Sequence, residues 1–149
     1  MIDSELDENG QLDYGQSVIG GAGQREVLFS TYLCHPSMAN NELSGPVVVA
    51  NLLRLLAEVP NLNYGYRGLF STETIGTICF LSRHYERLTP CIAAGYVVTC
   101  VGDEGPYNYV RSMREDCFSD RAAEHVLRHL ETDKPVRIRD FDPIGSDER

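Results

Sequence analysis

The sequence predicts an α/β domain, a mostly parallel sheet covered by helices. Three observations carry that prediction. Glu26 to Leu33, Tyr64 to Ser71 and Cys91 to Val101 are apolar, β-rich runs. The first two are each followed by a helix-length segment with apolar residues at helical spacing, Val47 to Val59 and about Thr77 to Leu88. The alternation then recurs, with a strand within Tyr107 to Met113, a helix capped by Ser119 or Asp120 and running through His129, and a strand from Pro135 to Phe141. Strands that alternate with helices read as β-α-β units, whose crossovers return the chain parallel to itself.

Each element has its local reason. Residues 1 to 25 are acidic and Gly-rich, with turns at Asp7-Glu8-Asn9-Gly10 and Gly20-Gly21-Ala22-Gly23. Short strands are expected around Leu12 to Tyr14 and Ser17 to Ile19, making this stretch an edge segment of an inserted or preceding subdomain. The Gly-rich turn precedes a strand and does not follow one, so it is not a phosphate loop. The run Glu26 to Leu33 is mostly apolar, as in a strand buried on both faces. In the next helix Ser44 is available as N-cap, Pro46 falls in the first turn, and Pro60 ends it. The following helix would turn Ile78, Phe80, Leu81 and Tyr85 to the core. Cys91 to Val101 is too β-branched at its end for a helix and reads as a central strand. The final Gly145-Ser-Asp-Glu-Arg149 carries loop and charge with no closing helix, which we read as the mark of a fragment, incomplete at the C-terminus.

A chain of 149 residues suits a single domain. Its net charge of −9 argues against a nucleic-acid backbone or an anionic membrane as partner. No run is long and apolar enough to span a bilayer, and no charged-then-apolar leader opens the sequence. Five cysteines, none in a CxxC pair, fit a reducing compartment, so a cytoplasmic location is expected.

The chemistry gathers where the strands end. His35 follows the first strand, with Asn40, Asn41 and Glu42 behind it. Glu73 follows the second strand, and Asp103 and Glu104 follow the third. Carboxyl ends of neighbouring parallel strands lie side by side, about 4.8 Å apart, so these side chains could converge. An imidazole and carboxylates meeting at one point is the donor set of a hydrolytic zinc site. The competing reading is that polar residues collect at strand ends as turn formers, and that Glu73 caps the next helix.

Other polar residues point less sharply to chemistry. His125 and His129 stand four apart on a helix, but Val126 occupies the place where HExxH needs its Glu, so both read as surface residues. His84 lies among Arg83, Glu86 and Arg87 on what reads as a solvated face. Asp3, Asp7 and Asp13 read as solvated too. Cys34 beside His35 suggests a nucleophile pair, but adjacent strand residues face opposite ways, so that pair is expected to be badly placed.

Three stretches carry a resemblance: Cys34-His-Pro-Ser-Met-Ala-Asn-Asn-Glu-Leu-Ser-Gly45, Phe70-Ser-Thr-Glu-Thr-Ile-Gly76 and Gly145-Ser-Asp-Glu-Arg149. They resemble a bacterial and archaeal family of aminopeptidase-like domains, often found near polysaccharide-biosynthesis genes. That family is similar to zinc-dependent exopeptidases of the aminopeptidase Y and S type. The resemblance covers nearly the whole chain. It implies a zinc-exopeptidase fold with one or two zinc ions, and a small peptide or aminoacyl substrate. A homo-oligomer is compatible with it.

By the same resemblance His35 matches the first metal-binding His, and Asn41 stands where the family normally has a bridging Asp. Glu73 takes the general-base place, Thr74 the place of a ligand Glu, and Asp103 that of a further Asp. Asp147 lies in a segment that resembles Ser-Asp-His near the site. The final ligand His has no counterpart. The implied mechanism is water activated by zinc, deprotonated by Glu73 and attacking a carbonyl. With Asn41 and Thr74 in ligand places, zinc binding is expected to be weak, although His35 and Asp103 are expected within reach of a shared metal. The rival reading is a non-catalytic binding or assembly module that keeps the fold.

Overall fold

The computed structural model describes residues 5, 7–20, 25–114, 116–142 and 146–147. Asp3, most of the Gly-rich turn (21–24), Gly145 and Arg149 lie outside them.

Four strands form the main sheet: β1 (Gly15–Ile19), β2 (Glu26–Tyr32), β3 (Gly65–Ser71) and β4 (Ile92–Val97). Their order is β1-β3-β2-β4. β2 pairs in parallel with both β3 and β4, and β1 closes one edge antiparallel to β3. The three runs read as strands are therefore neighbours in a largely parallel sheet. The helices are α1 (Ala39–Glu42), α2 (Ser44–Ala57), α3 (Ile75–Leu88) and α4 (Phe118–His129). β5 (Tyr107–Val110) and β6 (Val136–Arg139) flank α4 and pair in parallel with each other. They form a separate two-stranded sheet, so the alternation seen in sequence continues without extending the main sheet.

The two faces of β3 receive different helices. Leu69 packs with Phe80 and Leu88 of α3, and Tyr14, Leu28 and Ile92 surround that cluster. The adjacent Gly68 faces the other way, where a Cβ would come within 2.6 Å of Leu53 and 3.3 Å of Val49 on α2. Val49 and Phe80 have no exposed surface. Arg67, 4% exposed, lies inside the sheet because its guanidinium grips both oxygens of Glu26, at 2.7 and 3.0 Å, and Gln16 at 2.8 Å. Buried guanidinium is tolerated only with such pairing.

Several boundaries differ from the sequence reading. β1 begins at Gly15, so Leu12 to Tyr14 is not a strand. β4 stops at Val97: Val98 still donates its N–H to the Ser30 carbonyl, but its own carbonyl accepts the Thr31 hydroxyl, and Cys100 then turns at φ 50°. Ser44 is not the N-cap of α2: Leu43 is, and Ser44 Oγ donates to the Asn40 carbonyl while accepting Val101 N–H. On α3 only Phe80 of the four expected core residues is buried, whereas Ile78, Leu81 and Tyr85 are exposed. Gly76 explains the rotation, since a Cβ there would meet Ser71 Cβ at 2.9 Å and the helix lies on the sheet at that point. Cys117, not Ser119 or Asp120, is the N-cap of α4, and Asp120 turns inward, 3% exposed. β5 and β6 are shorter than the runs read as strands. His84 is not simply solvated, because its Nε2 shares a 2.9 Å hydrogen bond with Tyr14 Oη and its ring packs on Phe80. No described helix is long and apolar enough to cross a membrane.

Candidate functional site

β2 and β3 run side by side in the same direction, so their carboxyl ends present the next residues together. His35, three residues past the end of β2, places Nε2 2.9 Å from Glu73 Oε2, two residues past the end of β3. The imidazole is half exposed and the carboxylate mostly covered, at 49% and 22% of their side-chain surfaces. The pair is thus reachable from solvent through the His35 side.

Glu73 is held at both oxygens. Ser146 Oγ donates to Oε1 while His35 occupies Oε2. The Ser146 hydroxyl first, and then the His35 ring, keep the Glu73 carboxyl below the usual carboxylate range, against the opposing effect of burial. Behind it, Asp147 Oδ1 accepts the Thr74 N–H at 2.6 Å and Oδ2 accepts the Thr77 hydroxyl at 2.8 Å. Asp147 therefore ties the residue before α3 to the helix's first turn, and Glu73 is left facing His35.

Cys34 completes the cluster. Its Sγ, the His35 ring nitrogen and a Glu73 oxygen all lie within 4.8 Å of one another. The two side chains converge instead of facing opposite ways because β2 ends at Tyr32, and strand alternation no longer applies at residues 34 and 35. Burial nonetheless pushes the Cys34 thiol up; the Glu73 backbone N–H opposes this and the Glu42 and Glu73 carboxylates reinforce it. Such a thiol is a weak nucleophile at neutral pH. It remains a soft donor beside an imidazole and a carboxylate.

Glu42, named in the sequence beside Asn41, has a role that sequence reasoning did not foresee. It is 4% exposed, its Oε2 accepts the Cys34 N–H, and Oε1 lies 3.9 Å from Cys34 Sγ. A buried carboxylate on a backbone N–H fixes the turn that carries Cys34 and His35. Its place one residue after Asn41 was visible, but an acidic residue in a polar loop gives no hint of inward rotation.

The structure puts the other expected residues nearby but outside this cluster. Asn41 Nδ2 points to Cys100 Sγ at 3.5 Å, and its Oδ1 is buried with no hydrogen-bond partner among the described residues. Asp103 engages both oxygens within its own surroundings, accepting Gly105 N–H at 2.7 Å and Asn40 Nδ2 at 2.9 Å. The third strand end thus reaches α1 through Asn40 and is not among the ligating atoms gathered at His35. The His125 and His129 rings lie tilted against each other, and His129 Nδ1 bonds the His125 carbonyl, both on the exposed side of the helix.

A shallow cavity of about 390 Å³ flanks His35, with walls from Leu33, Pro36, Met38 and Leu43. A larger one of about 560 Å³ lies at α4, lined by charges that mostly pair with one another, Arg111 with Glu124 and Arg121 with Asp116 among them. The smaller cavity is the one that adjoins Cys34 and His35.

Comparison with known proteins matches residues 5–149 to a family described as a domain of unknown function, DUF4910. This chain belongs to the DUF4910 family. A relative from Clostridium acetobutylicum, provisionally named a polysaccharide biosynthesis protein with aminopeptidase-like domain, is 44% identical over 149 residues. The match covers 100% of this chain and 33% of the relative. A crystal structure from the same organism, provisionally described as a peptidase, superimposes with a TM-score of 0.83 at 41% identity, over 91% of this chain and 31% of that one. The DUF4910 chain therefore spans about a third of the length of these relatives.

Proposed function

We propose that this DUF4910 chain forms part of an aminopeptidase-like hydrolase that acts on a small peptide or aminoacyl substrate. The observation that carries the reading is the His35–Glu73 pair, 2.9 Å apart at the ends of two adjacent parallel strands. The names of the two Clostridium relatives support it at the level of peptidase-like chemistry.

The donors suit zinc. An imidazole nitrogen, a carboxylate oxygen and a sulfur within 4.8 Å of one another match the ligand types zinc prefers. In this reading His35 and Cys34 would hold the ion, with Glu73 at its edge, and the orphaned Asn41 Oδ1 would be a neutral oxygen close by in the same loop. Zinc, when bound, would polarise the substrate carbonyl and acidify water. The chain's own part is to orient and carry protons. Glu73 Oε2 takes a proton from the attacking water as the carbonyl C–O bond forms, and returns it to the amine as the C–N bond breaks. Ser146, on the other oxygen, keeps the carboxylate in one orientation. The walls of Leu33, Met38 and Leu43 offer the substrate an apolar surface next to His35.

A second reading is favoured by Asp103, whose carboxylate is occupied at both oxygens, and by Asn41 and Thr74, which bring no charge. It is a binding or assembly module with the same fold. Zinc titration by calorimetry separates the two. Binding of zinc that His35→Ala abolishes, with cleavage of aminoacyl anilides that Glu73→Gln slows, supports the hydrolase; zinc binding indifferent to His35 overturns it. Asn41→Asp is expected to tighten zinc binding.

A further inference from the structure

The loop that carries Glu73 contains a backbone outlier. Thr74 has φ 59° and ψ −68°, and Ile75 N–H bonds back to the Glu73 carbonyl at 2.6 Å. Together these define a γ-turn of the rare, strained hand, centred on a β-branched residue that least tolerates positive φ. Such strain persists only where the surroundings over-determine it. Here the surroundings are two residues from far along the chain. Asp147 takes the Thr74 N–H on one oxygen and the Thr77 hydroxyl on the other, and Ser146 Oγ donates to Glu73 Oε1.

We propose that Ser146-Asp147 is a clamp of two parts, in which Asp147 holds the Glu73–Thr74–Ile75 turn in its strained form and Ser146 orients the Glu73 carboxylate, so that both are positioning residues for Glu73. The catalytic meaning of the clamp rests on the hydrolase reading above, but its existence does not. Without the Asp147 acceptor, Thr74 relaxes to negative φ, the peptide after Glu73 rotates, and the carboxylate leaves His35. Ser146 acts on the side chain alone, fixing which oxygen faces the imidazole.

The test uses the full chain at fixed pH, with amide exchange of Ile75 and the ring nitrogen resonances of His35 as readouts. Asp147→Ala is expected to speed Ile75 exchange at least about tenfold and to move the His35 Nε2 resonance. Asp147→Asn, which keeps an acceptor for Thr74 N–H, stays close to the unaltered chain. Thr74→Gly in the Asp147→Ala background restores the His35 resonance, because glycine holds positive φ without strain. A simple cap would give the same loss in both backgrounds, so failure of that rescue overturns the proposal. So does an unchanged His35 resonance in Asp147→Ala. If Asp147→Ala does not fold, Ser146→Ala decides: it is expected to shift the His35 resonance and leave Ile75 exchange unchanged, and no shift overturns the clamp. None of these readouts needs turnover. A chain that cleaves nothing yet shows the rescue keeps the clamp and loses the hydrolase reading.

Discussion

Tyr109 Oη donates a 2.7 Å hydrogen bond to Asp120 Oδ1, tying β5 to the first turn of α4. Ser112 adds its N–H and its hydroxyl to the same carboxylate, at 3.1 and 2.8 Å. Burial alone would raise the Asp120 carboxyl, but these bonds outweigh it and the net shift is downward. The consequence for stability follows from the sign. An unfolded Asp titrates near about 3.9 and folded Asp120 lower, so its contribution is present above the unfolded value. It is lost as pH falls through the folded value. Acid denaturation of the unaltered chain is expected to include this loss below about pH 4. In Asp120→Asn that part of the profile flattens, as measured by circular dichroism across pH.

Arg67 and Glu26 give a second test. Arg67→Leu strands the Glu26 carboxylate within the sheet, and removing one partner of a buried pair typically costs about 3–5 kcal/mol. Urea unfolding should show a loss of that order. Arg67→Leu combined with Glu26→Leu is expected to recover much of it, since no charge is then left unpaired.

Two glycines should respond in opposite directions. A Cβ at Gly45 would collide with the Val98 carbonyl and Thr31 Oγ1, where α2 meets the end of β4. Gly45→Ala is expected to cost about 1–3 kcal/mol or more, as overpacking does. At Gly95 nothing lies within 4 Å of an added Cβ. Gly95→Ala is expected to stabilise by about 0.4–1 kcal/mol through the unfolded chain. Thermal melts of the two variants check both signs.

For the proposed chemistry, Glu73→Gln keeps the shape but removes the proton acceptor. In a chain that hydrolyses aminoacyl substrates it should lower kcat by about 10²–10⁴-fold. Single-turnover kinetics on that variant measures the effect directly.

Much of the fold was legible because it rests on periodicity. β2, β3 and β4 were found within a residue or so at their starts, since apolar β-rich runs between helical spacings have few other readings. What escaped was decided by contacts distant in sequence. The rotation of α3 follows from Gly76 on Ser71, and no hydrophobic count of Ile78, Leu81 and Tyr85 could show it. Tyr14 reaching His84 spans 70 positions. At the candidate site, His35 and Glu73 were expected to converge because parallel neighbours align their ends. Cys34 was set aside by assuming strand alternation where no strand exists, and Asp103 is engaged by its own turn. The bonds of Asp147 to Thr74 and Thr77 carry no local signal at all.

The reach of Asp147 to Thr74, 73 positions away, also sets an order of assembly. β2, β3 and the helix between them leave the ribosome well before Asp147. At about 5–20 residues per second, the gap amounts to about 4–15 s of synthesis. During that interval the sheet can form, but the turn beneath Glu73 lacks the acceptor that holds it. The bond from Thr74 to Asp147 is therefore a late acquisition of the nascent chain, supplied by a segment made long after the framework it joins.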